Sequence, residues 1–275
     1  MNREGGNEET MARTVVNPAT STALVLTGGL LGACQAMPSQ HAAEATPSLQ
    51  AYDQAIGTTG LSIHLVPVAG GEKVDSFYIA DHEIDWDIFD AFVFELDELP
   101  VKGTPEAETR PTRPYMLVDR GFGHATYPAI SMSRRGAEAF CLWLSEQSGR
   151  TYRLPTTAEW SHACALGAVS TAVMPDHAWY EDNADWTTHP VGTKAPDALG
   201  LHDMHGNVSE WAIDQDGDGV VMGGSFLSSI DELGCTSSQP DTPDWNESDP
   251  QIPRSVWWLA DGPFIGFRVV SNASS

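Results

Sequence analysis

Apolar and polar residues alternate at the start of the region that patterning marks as folded. In LSIHLVPV (Leu61–Val68) mostly every second residue is apolar, which predicts a β-strand, and Gly70-Gly71 marks the turn that follows. The segment Asp75–Asp85 is strand-like as well. In Trp86–Leu99, by contrast, apolar residues recur at helical spacing. This part of the chain therefore predicts two strands followed by a helix.

Two further helices are marked by their start signals. Ser133 is placed to cap a helix that ends near Gly149 and carries one apolar stripe, formed by Ala137, Phe140, Cys141 and Leu144. Thr156 and Glu159 have the spacing of a capping box, which opens a helix that stops near Gly167. Beyond residue 170 the chain is rich in Gly, Pro, Asp and Trp. The pattern predicts a mixed α/β (α+β) domain whose second half has little regular secondary structure.

The N-terminus has the features of an export signal. The apolar run Ala23–Ala33 is far shorter than the roughly 20 residues that span a bilayer, and it ends directly at Cys34. Leu31-Gly32-Ala33-Cys34 resembles a bacterial lipobox, which implies lipidation of Cys34. The alternative is an apolar patch with a chance cysteine. Acidic residues near Met1 leave open whether translation starts there or at Met11.

We therefore predict a lipoprotein signal peptide over residues 1–34, a flexible tether over 35–59 and one domain over 60–272. The tether is rich in Ala, Ser, Thr, Gln and Pro, a composition that buries too little apolar surface to fold. The predicted location is the cell envelope of a bacterium, as a periplasmic or outer-membrane lipoprotein, or the exterior as a secreted protein. Contact with the membrane is expected through the lipid anchor only.

Charge and cysteine content exclude several classes of function. The chain of 275 residues has 14 basic and 38 acidic residues, a formal net charge of −24. A surface this acidic repels phosphate backbones, so we expect no nucleic-acid partner, whereas divalent cations are compatible. The four cysteines form no C-x-x-C pair, which argues against a zinc knuckle or a thioredoxin-type motif.

Five segments in order resemble the formylglycine-generating-enzyme, or sulfatase-modifying-factor, family. They span roughly residues 60–271 and comprise SFYIADHEIDWDIFDAF (Ser76–Phe92), YRLPTTAEWSHAC (Tyr152–Cys164), GLHDMHGNVSEW (Gly200–Trp211), GGSF (Gly223–Phe226) and GFRVV (Gly266–Val270). The resemblance implies a compact α/β fold related to C-type lectins and low in regular secondary structure.

The resemblance also implies a calcium site. Family members bind calcium through side chains at the positions of Asp203 and Glu210, and through backbone oxygens at those of Gly206 and Val208. Carboxylate and carbonyl oxygens suit this hard cation. A second family site would need ligands near Asn183, where the segment is shortened. DQDGDG (Asp214–Gly219) begins like an EF-hand loop but lacks its last glutamate, so we interpret it as an acidic hairpin turn.

The cysteine pair that the family uses for catalysis is missing. Catalytic members hold Cu(I) with two cysteines shortly after GGSW, and thiolates are the ligands that this ion prefers. Ser228 occupies the first of these positions and Leu233 stands near the second, so bound copper is not expected. The resemblance further implies a disulfide between Cys164 and Cys235, and leaves Cys141 as a buried free thiol.

Two functions from different classes follow. The first is a non-catalytic, calcium-stabilised module that binds an envelope or extracellular protein, peptide or glycan, with Trp245, Trp257 and Trp258 either lining a groove or lying in the core. The second is an oxidoreductase of the same family with a non-standard metal site. Its candidate ligands would be histidines without decisive spacing: His124, His162, His202 and His205.

Overall fold

The structure is a computed structural model that describes residues 49–96, 110–114 and 118–273. The predicted signal peptide, Cys34 and residues 35–48 of the predicted tether lie outside these ranges. Among the described residues, no helix is both long enough and apolar enough to cross a membrane.

Four helices and nine strands form the described part of the chain. The helices are α1 (Trp86–Val93), α2 (Arg134–Ser148), α3 (Thr157–Gly167) and α4 (Met174–His177), with short 3-10 turns at Ile230–Glu232 and Pro243–Asn246. The strands are β1 (Tyr52–Ala55), β2 (Ser62–Val68), β3 (Phe77–Ala80), β4 (Tyr152–Arg153), β5 (Ser209–Ile213), β6 (Gly219–Gly223), β7 (Gly234–Pro240), β8 (Ile265–Gly266) and β9 (Val270–Asn272).

The first sheet is antiparallel, with strand order β1-β2-β3-β9-β4. Alternation in β2 is as predicted, since Ile63, Leu65 and Val68 are buried while His64 is exposed. The sheet begins earlier than the predicted domain boundary at residue 60. Strand β1 lies inside the predicted tether because backbone pairing with β2 holds it, and its short sequence YDQA has no apolar alternation that would reveal it.

The helix start signals are confirmed. The Ser133 hydroxyl accepts a hydrogen bond from a backbone N–H of the first turn of α2, and Gly149, in the left-handed conformation, caps the C-terminus of α2. Thr156 and Glu159 form the capping box of α3. Helix α1 is shorter than predicted: it ends at Val93, close to Glu95, whose positive φ of 57° is incompatible with a continuing helix.

The second sheet has the order β7-β6-β5-β8, with β7 at one edge. Its β5–β6 connection is the acidic hairpin turn that DQDGDG predicts, closed by backbone N–H groups that donate to the Asp214 carboxylate. Residues 178–208, all described, contain no helix or strand. The expectation of little regular structure in this half is confirmed.

The core has an aromatic centre and a smaller cluster around α3. Rings of Phe89, Phe140 and Phe267 pack with centroids 5.3–5.9 Å apart. Trp245 and Trp258 are buried in the same cluster, while Trp257 is partly buried against it, so these tryptophans belong to the core. Trp258 also lines a surface pocket, together with Trp86 and His124. The smaller cluster joins α3 to both sheets and places one face of α3 beside the site described next.

Candidate functional site

A buried ion pair lies at the centre of the motif region. Arg268, from GFRVV, donates to Glu210, from GLHDMHGNVSEW, through Nε–Oε2 at 2.6 Å and Nη2–Oε1 at 2.5 Å. Both side chains are almost completely buried, at 0% and 1% exposed. Trp160 on α3 donates its indole N–H to Glu210 at 2.8 Å, and Arg268 also donates to the backbone carbonyls of Ala80 and His202. The pair therefore joins four separate segments.

Two more buried acids adjoin this pair. Asp203 accepts a hydrogen bond from the Gly192 N–H through Oδ2 at 2.7 Å, but its Oδ1 and both oxygens of Glu83 are buried without a protein partner. Burial raises the pKa of Glu83 well above its usual value, and the charges of Asp203 and Glu210 add to this. Burial also raises the pKa of Asp203. The carboxyl groups of Glu83, Asp203 and Glu210 therefore all lie near the single guanidinium group of Arg268.

Of the sequence-predicted calcium ligands, Asp203, Gly206 and Val208 lie in the irregular segment before β5, whereas Glu210 lies in β5 and has another partner. Asp203 and Gly206 have positive φ angles of 55° and 79°, and a Cβ on Gly206 would lie 2.1 Å from the Trp179 carbonyl oxygen, so only glycine fits. Both Glu210 oxygens accept hydrogen bonds from Arg268 or Trp160. Buried carboxylate oxygens without a hydrogen-bond partner are found instead on Asp203 and Glu83, and also on Asp81. Sequence reasoning missed Glu83 because it is one of several acids in the strand-to-helix segment, and only its burial sets it apart.

A cleft of about 350 Å³ lies beside edge strand β7, at the positions where the resemblance places the catalytic cysteines. Gly224 lies close to the side chains at both positions. A Cβ on Gly224 would lie 3.1 Å from the Ser228 hydroxyl oxygen and 2.7 Å from Leu233 Cδ2. The Ser228 hydroxyl accepts a hydrogen bond from the Ser225 N–H at 3.0 Å. The two positions are therefore neighbours in space, but they offer a hydroxyl and a methyl group instead of thiolates.

The cysteine next to this cleft in the chain is part of a disulfide. Cys164 on α3 and Cys235 on β7 form the disulfide that the resemblance implied, with Cα atoms 5.4 Å apart. Cys235 is flanked by Gly234 and Thr236, which line the cleft. Cys141 is a buried free thiol on α2, and burial raises its pKa far above the usual value. Among the described residues, no free thiol lies at the cleft.

The four candidate histidines lie in different surroundings. His124 lies between two carboxylates, whereas His162 and His202 each have a ring nitrogen within hydrogen-bond distance of a backbone carbonyl. His205 is buried with Nε2 3.6 Å from Cys164 Sγ. The structure therefore does not bring these histidines together as one metal site.

The fold and the motif region define a domain of the formylglycine-generating-enzyme type whose cleft lacks the catalytic thiols. The family model described as the sulfatase-modifying factor enzyme 1-like domain matches residues 55–273, and the chain belongs to this family.

The similar proteins are consistent with this assignment. The inactive C-alpha-formylglycine-generating enzyme 2 of Bos taurus is 32% identical over 129 residues, which cover 38% of this chain and 40% of that protein. The chaperone protein LppX of Paenibacillus barcinonensis is 39% identical over 84 residues, covering 22% of this chain and 30% of that protein. The chain thus matches well under half the length of either relative.

Among solved structures, Treponema denticola variable protein 1 is similar with a TM-score of 0.58 and 18% identity, covering 82% of this chain and 100% of that one. At this identity the similarity shows the fold alone.

Proposed function

We propose that this domain is a non-catalytic binding module exported to the cell envelope, and that its cleft beside β7 binds an extended peptide. The observation that carries the proposal is that Ser228 and Leu233 lie side by side at the positions where catalytic members of the family hold Cu(I). A serine hydroxyl is a hard, weakly nucleophilic group that does not replace a thiolate as a ligand for this ion. The nearby sulfurs of Cys164 and Cys235 are bonded to each other.

The shape and chemistry of the cleft support a peptide as its occupant. Strand β7 is an edge of its sheet, and edge strands can pair their free backbone groups with an added strand. None of the residues that line this cleft is aromatic, and glycan sites normally use aromatic faces. Asp231 and Glu232 border the cleft, on a chain of net charge −24. We therefore propose a peptide with basic side chains.

The test is fluorescence-anisotropy titration of the protein with short labelled peptides rich either in lysine or in glutamate. We expect the basic peptides to bind, and the double variant Asp231→Asn/Glu232→Gln to bind them about five-fold more weakly, since two exposed charge pairs contribute about 1 kcal/mol together. Asp216→Asn/Asp218→Asn removes the same charge from the β5–β6 turn, which does not line the cleft, and should leave the affinity unchanged.

Equal binding of acidic peptides, or equal losses in the two double variants, would contradict a specific basic-peptide cleft. Conversion of a cysteine-containing peptide to an aldehyde by the copper-treated protein would overturn the non-catalytic part of the proposal. That outcome would favour the alternative, an oxidoreductase with a non-standard metal site.

Calcium is the ion that we propose for the buried acidic cluster. Glu83 and Asp203 supply three buried carboxylate oxygens without protein partners, and these are hard ligands that suit this cation. Glu210, by contrast, keeps its bonds to Arg268. The proposed site therefore retains Asp203 from the sequence-predicted set and adds Glu83.

Thermal unfolding with and without calcium tests this site. We expect saturating calcium to raise the Tm by about 5 °C or more relative to chelator, because an ion at a hundred times its Kd adds about 2.7 kcal/mol. Glu83→Gln should abolish the increment, whereas Glu138→Gln, an exposed glutamate of α2, should preserve it. An unchanged Tm in the parent protein, or an increment that survives Glu83→Gln, would disprove the site.

A further inference from the structure

We propose that reduction of the Cys164–Cys235 disulfide creates a zinc site formed by Cys164, Cys235 and His205. One ligand atom from each of these residues lies within 4.8 Å of the others. Two thiolates and one imidazole are a ligand set that proteins use for zinc when a fourth position is left open. The site is distinct from the acidic cluster and from the cleft positions of Ser228 and Leu233.

The environment of His205 is the second observation. Its side chain is buried, at 3% exposed, and its Nδ1 has no hydrogen-bond partner. Its Nε2 points to the disulfide, 3.6 Å from Cys164 Sγ. A buried polar ring without a good hydrogen bond is costly, so a packing role alone does not explain a histidine here.

The distances fit a tetrahedral zinc ion. Zinc–sulfur bonds of about 2.3 Å and zinc–nitrogen bonds of about 2.0–2.1 Å place a sulfur and a nitrogen ligand about 3.5–3.6 Å apart. Cys164 Sγ and His205 Nε2 already have this separation. The two sulfurs would need to lie about 3.8 Å apart, which requires that their bond be broken. Cys235 can make this movement, since it is partly exposed on an edge strand and follows Gly234.

The chemistry balances with a dithiol as the reductant. The dithiol gives two electrons and two protons to the disulfide and is itself oxidised to a disulfide, leaving thiols on Cys164 and Cys235. Zinc then displaces both thiol protons and binds the thiolates and His205 Nε2. The reductant can reach the bond from the side of Cys235, which is partly exposed. The oxidised form offers no thiolate, so binding depends on the redox state.

The test uses the full chain with Cys34→Ala and Cys141→Ala, which leaves only the two cysteines of the site. Cobalt(II) is the spectroscopic probe, followed by displacement with zinc. After reduction we expect one equivalent of tetrahedral, thiolate-bound cobalt, released by zinc, and after reoxidation none. In the same background, His205→Leu should weaken zinc binding by at least about 100-fold, since even supporting residues of metal sites contribute 10–100-fold. The control is His162→Gln, which changes a histidine of α3 whose ring does not point to the disulfide. This variant should bind zinc as tightly as the parent does.

The proposal is overturned if the reduced parent binds zinc no better than the same chain with Cys164→Ala/Cys235→Ala. Equal affinity of the His205→Leu variant, or equal binding by the oxidised protein, overturns it as well. Loss of structure on reduction is also informative, because zinc should then restore the native far-UV circular dichroism. Failure of zinc to restore the spectrum counts against the site.

Discussion

Arg268→Met is expected to lower the free energy of unfolding by about 3–5 kcal/mol, because it leaves a buried carboxylate without its partner. The arginine is completely buried and neutralises Glu210, and the buried acids Glu83 and Asp203 adjoin it. Methionine fills a similar volume, so most of the loss should come from uncompensated charge rather than from a cavity. Arg268→Lys should also destabilise, since one ammonium group cannot reproduce the two-point contact.

Urea unfolding of the oxidised protein, followed by circular dichroism, measures this effect. Arg135→Met is the matched control: Arg135 is exposed, its guanidinium lies 5.0 Å from the centroid of the Trp257 ring, and the variant should change stability by about 0.5 kcal/mol or less. Adding Glu210→Leu to Arg268→Met should recover part of the loss by removing the unpaired charge. An Arg268→Met protein as stable as the parent would mean that the cluster tolerates its charge without the arginine.

Cys164→Ala/Cys235→Ala is expected to lower stability by about 4 kcal/mol, since the bridge closes a loop across a sequence separation of 71 residues. The cross-link restricts the unfolded chain, and this loop contains the irregular residues 178–208, which have no strand or helix to hold them. The folded double variant should have the same circular dichroism spectrum as the parent protein.

Comparison of urea midpoints in the presence of chelator measures the effect without metal. Cys141→Ala is the control, because it removes a buried sulfur of similar size that closes no loop. Its loss should be clearly smaller than that of the double variant. A double variant within 1 kcal/mol of Cys141→Ala would show that packing around α3 and β7 alone orders this half of the domain.

The sequence by itself determined the local elements and the family. The alternation of β2, the caps of α2 and α3 and the acidic turn after Asp214 all follow from interactions within a few residues, which a linear pattern records. The spaced family motifs carried the longer-range information, including the disulfide between Cys164 and Cys235. The sequence also has Ser228 and Leu233 at the positions where the resemblance places the catalytic cysteines.

Only the tertiary structure decided which side chains meet. Strand β1 is held by pairing with its neighbour, so its own composition could not reveal it. Glu210 binds Arg268, 58 residues further along the chain, and the unpartnered acid beside Asp203 is Glu83. His205 reaches the disulfide because α3 and the irregular segment before β5 pack together. Such contacts depend on the path of the backbone through space, and no local pattern of apolar and polar residues encodes that path.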